Sequence, residues 1–406
     1  MTALEGAAWR QRLRESLAAL PSERRRQLRA YARPAEAESQ LRAGATGAVL
    51  LDLASNDYLG LSRHPAVRAA AAAELEASGL GAGASRLVSG TRPVHLALEE
   101  ALGQWLGRER VLLFPSGFQA NLAAVSALAD RHSLVLADRL IHHSLLAGVR
   151  LSGARLRRFA HNNLADLERR LSTARRERPT GLVLVLCESV YSMEGTTAPV
   201  AQLAALCAQH GAPLLVDEAH ALGVIGPGGR GLAHGQAEVA LVSGTFGKAF
   251  GSGGAFLAAD AVVGEWLLQN SGAFRYSTAL ASPLAAGALA ALELLRSEPK
   301  AGVDLCRRAQ RWRDGLEAAG WPRPPGEGPI LPLLVGDDGE ALALQQRLEA
   351  AGLLTVAIRP PTVPEGTARL RLVLRRDLPR GSLKHLLEAL GVGPERGWQG
   401  RGCVCS

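Results

Sequence analysis

The chain has 406 residues, with 46 Lys+Arg against 38 Asp+Glu, a formal charge of +8 and a pI near 9.7. Hydrophobic residues at 47% with 21% charged exclude a disordered chain, and no apolar run is long enough for a membrane helix. Only Lys248, Lys300 and Lys384 are lysines, so the basic charge is nearly all arginine. Arginine stays protonated, whereas lysine can release its proton and form Schiff bases, so each lysine needs a reason.

The arginines are dispersed and aromatics are 4%, which argues against a nucleic-acid platform and for a solvated basic surface. Five cysteines, odd in number and mostly in apolar segments, fit a reducing cytoplasm. Met1–Arg14 has no apolar core of a secretory signal, and neither a membrane nor a metal partner is expected.

In chain order, residues 8–32 read as one amphipathic helix through Trp9, Leu13, Leu17, Leu20 and Leu28. A strand at 51–53 and a helix from His64-Pro65 to Ala77 follow, then a Gly-rich loop and a helix over 93–106. From 111 the chain alternates. Strands are predicted at 111–114, 133–136, from 156, and at 182–186, 213–216, 239–242 and 255–257. Helices are predicted at 118–129, 141–151, 163–174 and 199–209. That alternation is the signature of an α/β domain with a mainly parallel sheet. A long helical region is predicted over about 283–320, then a Pro/Gly linker and a smaller α+β unit of strands 330–335, 354–358 and 369–374 with helices 339–351 and 382–390. The expected organisation is an N-terminal arm (1–48), a large domain (49–282), a small domain (283–390) and a tail (391–406).

Ligands of open α/β sheets sit beyond the carboxyl ends of the strands. Three polar clusters lie there. Pro115 to Asn121 opens a helix after a strand, and its free N–H groups suit a phosphate. Asp217-Glu218-Ala219-His220 places an acid and a histidine at a strand end. The same string matches a helicase box, but the loop ending Gly247-Lys248 has Val242 and Ala249 where a phosphate-binding loop of ATPases needs Gly and Ser/Thr. The third cluster, Ser243 to Gly251, surrounds Lys248 with small residues, where a buried lysine becomes a nucleophile or base. A lysine, a carboxylate and a phosphate cradle are the parts of a pyridoxal 5′-phosphate (PLP) site. His142 and Ser192, both after strands, complete the set.

These segments, with Ser55-Asn56-Asp57-Tyr58-Leu59-Gly60 and Thr245-Phe246-Gly247-Lys248, resemble the α-oxoamine synthases over about Arg29 to Leu390. The family has the fold of type I PLP-dependent transferases, so a seven-stranded, mainly parallel sheet is implied. It joins an amino acid to an acyl thioester with loss of CO2. The segment Ala357 to Pro364, with Arg369-Leu370-Arg371, resembles the branch that uses L-alanine and pimeloyl-CoA or pimeloyl-acyl carrier protein in biotin synthesis. Sister acyltransferases of glycine, and a catalytically silent PLP-binding protein, are the alternatives.

The resemblance implies that Lys248 bonds the cofactor, Asp217 pairs with its ring nitrogen, and His142 stacks on the ring. His220 and Ser192 contact the ring hydroxyl, while Gly117, Phe118 and Thr245 hold the cofactor or its phosphate. Thr278 is implied to reach the partner's phosphate in a homodimer. Arg359, Thr362 and Asn56 are implied to meet substrate, with Arg29, or else Arg26, as the N-terminal substrate arginine. Two positions depart from the family: Ala221-Leu222 replaces Gly-Thr, and His143 replaces Ala.

Overall fold

The computed structural model describes residues 3–34 and 38–391. The tail from residue 392, with Cys403 and Cys405, lies outside the described residues. The strands of the main sheet are β1 (Arg110–Phe114), β2 (Leu134–Asp138), β3 (Arg155–Phe159), β4 (Val183–Glu188), β5 (Leu214–Asp217), β6 (Val239–Thr245) and β7 (Ala255–Ala259). Their spatial order is β1-β7-β6-β5-β4-β2-β3. β7 runs antiparallel to both neighbours, and the five strands from β6 to β3 are mutually parallel. This is the seven-stranded, mainly parallel sheet expected.

β2, β4, β5 and β7 are buried along their whole length, which is why they read as continuous apolar runs rather than alternating ones. Helices cover both faces, so the sheet lies between two large apolar clusters, and a third, small one forms at Ala43, Leu50 and Leu354. The carboxyl ends of β4, β5 and β6 carry Glu188, Asp217 and Thr245, so the polar groups project from one edge of an apolar slab.

One long helix of the sequence reading is corrected and one helical region is divided. The N-terminal helix is Ala3–Ala18, followed by a short 3-10 turn at Ser22–Arg24. Pro21 explains the stop, because the residue before a proline is driven out of the helical region. The chain beyond it forms a small antiparallel pair, Tyr31–Ala32 with Gln40–Ala43, that periodicity did not reveal. The helical region read over 283–320 is two helices, Ser282–Ser297 and Ala301–Ala318, broken at Glu298-Pro299 for the same reason.

The strand Val49–Asp52 pairs with Leu353–Leu354, tying the start of the large unit to the C-terminal part. Arg375 reinforces the tie. It is buried, with its guanidinium 2.6 Å from Asp377 and 3.3 Å from Asp52. Asp52 in turn accepts from the backbone of Ala54 and Ser55, which shapes the turn carrying Asn56 and Tyr58. Arg375→Ala would leave buried carboxylates without a counter-charge, so a loss of about 3–5 kcal/mol is expected by denaturant unfolding.

A three-stranded sheet of Ile330–Gly336, Ala368–Val373 and Val356–Ile358 completes the C-terminal unit. Lys300, in the turn between two helices, and Lys384, on the helix Ser382–Leu390, are both exposed. No helix among the described residues is long and apolar enough to cross a membrane.

Candidate active site

A cavity of about 240 Å³ opens at the carboxyl ends of β4, β5 and β6. Gly117 and Phe118 reach it from the first turn of the helix Gly117–Leu128, and His142 from the start of the helix His143–Ser152. Glu188 ends β4 and Asp217 ends β5, with Ala219 and His220 just beyond. Ser243, Gly244, Thr245 and Lys248 come from β6 and its following loop.

The loop holding Lys248 is pinned by close packing. Gly251 has φ +63°, and a Cβ there would lie 2.1 Å from the Ser62 nitrogen, so only glycine allows this approach. Lys248 Nζ lies 2.8 Å from His220 Nε2. Burial pulls the Lys248 amine down to about 8, against the opposing attraction of Asp217.

His220 is buried and its pKa lies well below the usual range, first through desolvation and then through Lys248 and Arg371. Its Nδ1 stands 2.5 Å from the Tyr58 hydroxyl. Burial pushes the Tyr58 phenol up to about 12, so it keeps its proton and donates it to Nδ1. The imidazole proton then belongs on Nε2, aimed at Lys248, a contact only the unprotonated amine accepts.

The chain of contacts runs on. Tyr58 lies 3.4 Å from Asn56 Oδ1, which accepts from Arg371 Nη2 at 2.9 Å. Arg371 Nε donates to the Ser192 carbonyl at 2.6 Å. Arg371 is buried, and among the described residues no carboxylate pairs with it.

Asp217 has donors on both oxygens, Asn121 Nδ2 at 2.7 Å and the Ala219 amide at 2.9 Å. Asn121 also donates to Ser144, whose hydroxyl lies 2.7 Å from His142 Nδ1. Burial holds the His142 pKa low; Asp217 opposes this, while Lys248 and His143 add to it.

The arrangement fits PLP. Ser116 caps its helix by accepting from the Gln119 amide, which leaves the amides of the first turn for another acceptor. A Cβ on Gly117 would stand 3.6 Å from Thr245, filling the space between the helix start and that hydroxyl. An anionic phosphate suits this gap, and a protonated ring nitrogen suits Asp217. Asn121 Oδ1 and Glu188 Oε1 are buried beside it without partners.

Seven of the sequence-derived residues thus share one cavity: Gly117, Phe118, His142, Asp217, His220, Thr245 and Lys248. Ser192 does not line it and enters through its carbonyl. Asn56 joins one shell away, through Tyr58. Thr278 is exposed and bridged to Ser85. Arg29 is held in an ion pair by Glu349. Arg26 instead contacts Thr362, at 3.2 Å, and Arg359 reaches the Glu23 carbonyl.

Ala221 and Leu222 are buried in the core rather than on the cavity wall, and Leu222 packs close to Gly244. The His143 ring sits 6.4 Å from Phe118. The sequence reading passed over Tyr58, Asn121, Glu188 and Arg371 as site residues. Tyr58, Asn121 and Arg371 stood inside segments already singled out; Glu188 differs from an ordinary strand-end residue only in what it faces.

The description "Aminotransferase class I and II" matches residues 48–390. An 8-amino-7-oxononanoate synthase from Nitrosococcus oceani is 44% identical over 348 residues, covering 85% of this chain and 91% of the relative. A solved serine palmitoyltransferase from S. paucimobilis with PLP–myriocin bound has a TM-score of 0.84 at 27% identity, covering 96% of this chain and 98% of that one. The 8-amino-7-oxononanoate synthase of Francisella tularensis gives a TM-score of 0.72 at 26% identity, over 84% and 96% of the two chains. A cavity built for PLP and these likenesses over most of the length agree: the chain belongs to the PLP-dependent class I and II aminotransferase family, on its 8-amino-7-oxononanoate synthase branch.

Proposed function

We propose that the protein joins L-alanine to a pimeloyl thioester with loss of CO2, forming 8-amino-7-oxononanoate. The observation that carries this reading is the Lys248–His220 contact at 2.8 Å in a cavity that also holds Asp217. Bound at Lys248, PLP supplies an electron sink that makes a carbanion at the amino acid's α-carbon accessible.

The protein's own residues do the rest. The amides of Gly117 and Phe118 with Thr245 hold the phosphate, and Asp217 holds the proton on the ring nitrogen. His142, anchored through Ser144, presents its imidazole for stacking. Lys248, with its pKa down at about 8, removes the α-proton in its neutral form and returns a proton at the end. His220 keeps a proton on Nε2 and so steers that amine.

Arg371 has the features of a carboxylate clamp: it is buried, positioned by Ser192 and Asn56, and without an acidic partner among the described residues. Arg371→Gln is expected to raise the KM for the amino acid by about 100-fold while lowering kcat much less. An unchanged KM would remove Arg371 from this role.

Arg26, Arg359 and Thr362, gathered where the N-terminal segment crosses the C-terminal unit, form the region proposed for the acyl substrate. Thr278, exposed on its own chain, suits a contact across a homodimer. The test is a grid of L-alanine and glycine against pimeloyl-, acetyl- and succinyl-CoA. The reading expects alanine with pimeloyl-CoA to give the highest kcat/KM. Preference for glycine with acetyl- or succinyl-CoA would make the protein a sister acyltransferase.

A further inference from the structure

Glu188 ends β4 directly opposite Asp217 in the register of β4 and β5, and both line the cavity. Two carboxyl groups so placed differ in their partners. Each Asp217 oxygen accepts a hydrogen bond. Glu188 is buried and its Oε1 has no partner. A negative charge spread onto a buried oxygen with no donor, beside a second carboxylate, is costly, whereas a neutral carboxyl carries its own donor.

The sheet order says which part of the cofactor meets Glu188. The ring nitrogen belongs at β5. The phosphate belongs between the helix after β1 and Thr245 at the end of β6, both on one side of β5. On the pyridine ring the phosphate arm and the hydroxyl flank the aldehyde carbon on opposite sides. The hydroxyl therefore falls on the other side of β5, where the next strand is β4 and its last residue is Glu188. Ser192, expected at that oxygen, does not line the cavity.

We propose that Glu188 is a catalytic residue that contacts the cofactor as a neutral acid, donating a hydrogen bond from its carboxyl to the anionic ring oxygen. The groups that face it are Asp217 from β5, Lys248 from the loop after β6, Glu194 from the loop after β4, and the His142 amide at a helix start. Burial first, and then Asp217, push the Glu188 carboxyl well above the usual carboxylate range, in line with the hydrogen-bond count. A donor at the ring oxygen favours the form of the lysine-bound chromophore that has lost its proton, and so lowers the pH at which its visible spectrum changes.

The test is that titration on PLP-loaded protein, read by absorbance rather than turnover. Glu188→Ala is expected to move the midpoint up by about one pH unit or more, and Glu188→Gln, which keeps a neutral donor, to leave it near the original value. If Glu188 were ionised, its charge would hold the chromophore's proton in place, and both substitutions would move the midpoint down. A downward shift, or no shift in the alanine protein, overturns the proposal. Should the alanine protein fail to take up PLP, infrared spectroscopy of the loaded protein decides. A neutral-carboxyl band lost in Glu188→Gln is expected, and an unchanged band overturns the proposal. The inference rests on the placement of PLP described above. An unmodified protein without the chromophore would refute that placement, whereas a coloured one with unmoved variants refutes the role of Glu188 alone.

Discussion

Lys248→Arg is expected to abolish turnover, lowering kcat by at least about 10,000-fold, and to remove the visible absorbance of the lysine-bound cofactor. The chain encodes arginine nearly everywhere it needs a positive charge, so the substitution is compositionally ordinary. Chemically it is not. A guanidinium keeps its proton, whereas the Lys248 amine is brought down to about 8 by burial and gives up its proton near neutral pH. The arginine protein would also bring a permanent cation against His220, whose Nε2 is 2.8 Å from the lysine nitrogen. A coloured and active Lys248→Arg protein would sink the assignment. Lys300 and Lys384 are exposed, and arginine in either place is expected to leave kcat unchanged.

Asp217→Asn is expected to cost about three or more orders of magnitude in kcat with little loss of fold. The shape is retained, although the single oxygen of an asparagine can accept from Asn121 or from the Ala219 amide but not from both. The negative charge is what disappears. An amide cannot keep a proton on the ring nitrogen, so the electron sink weakens just when charge develops at the α-carbon. The loss is expected in kcat rather than in cofactor affinity, because the Gly117 helix start and Thr245, proposed above to hold the phosphate, are unchanged. A mutant with nearly normal kcat would mean that Asp217 does not serve the ring nitrogen.

Much of this site was legible in the sequence because each group stands at a strand end. Buried strands announce themselves as apolar runs, and the polar residues after each run border the crevice; Asp217 and the start of the Gly117 helix stand out that way, while the role of Thr245 is implied by the family resemblance. Glu188 obeys the same rule but was overlooked, because a lone acid after a strand looks like any solvated residue until its unpaired oxygen is seen. Tyr58 is 162 residues from His220 and Arg371 about 120 from Lys248 along the chain, in their own separate segments, so only the folded chain joins them. The N-terminal stretch misled for another reason. Trp9, Leu13 and Leu17 share a helical period, yet all three are exposed in the single chain, and periodicity alone does not say what a face meets. The breaks at Pro21 and Pro299 were readable, and the periodic residues on either side masked them.

The most direct measurement follows carbon rather than colour. PLP-loaded protein is mixed with L-alanine labelled with carbon-13 in its carboxyl group and with pimeloyl-CoA, and the label is traced by mass spectrometry. The account predicts that the label leaves entirely as CO2, in step with release of CoA, and that the product is unlabelled 8-amino-7-oxononanoate. Label retained in the product, or CoA released without CO2, would contradict a decarboxylative condensation at Lys248.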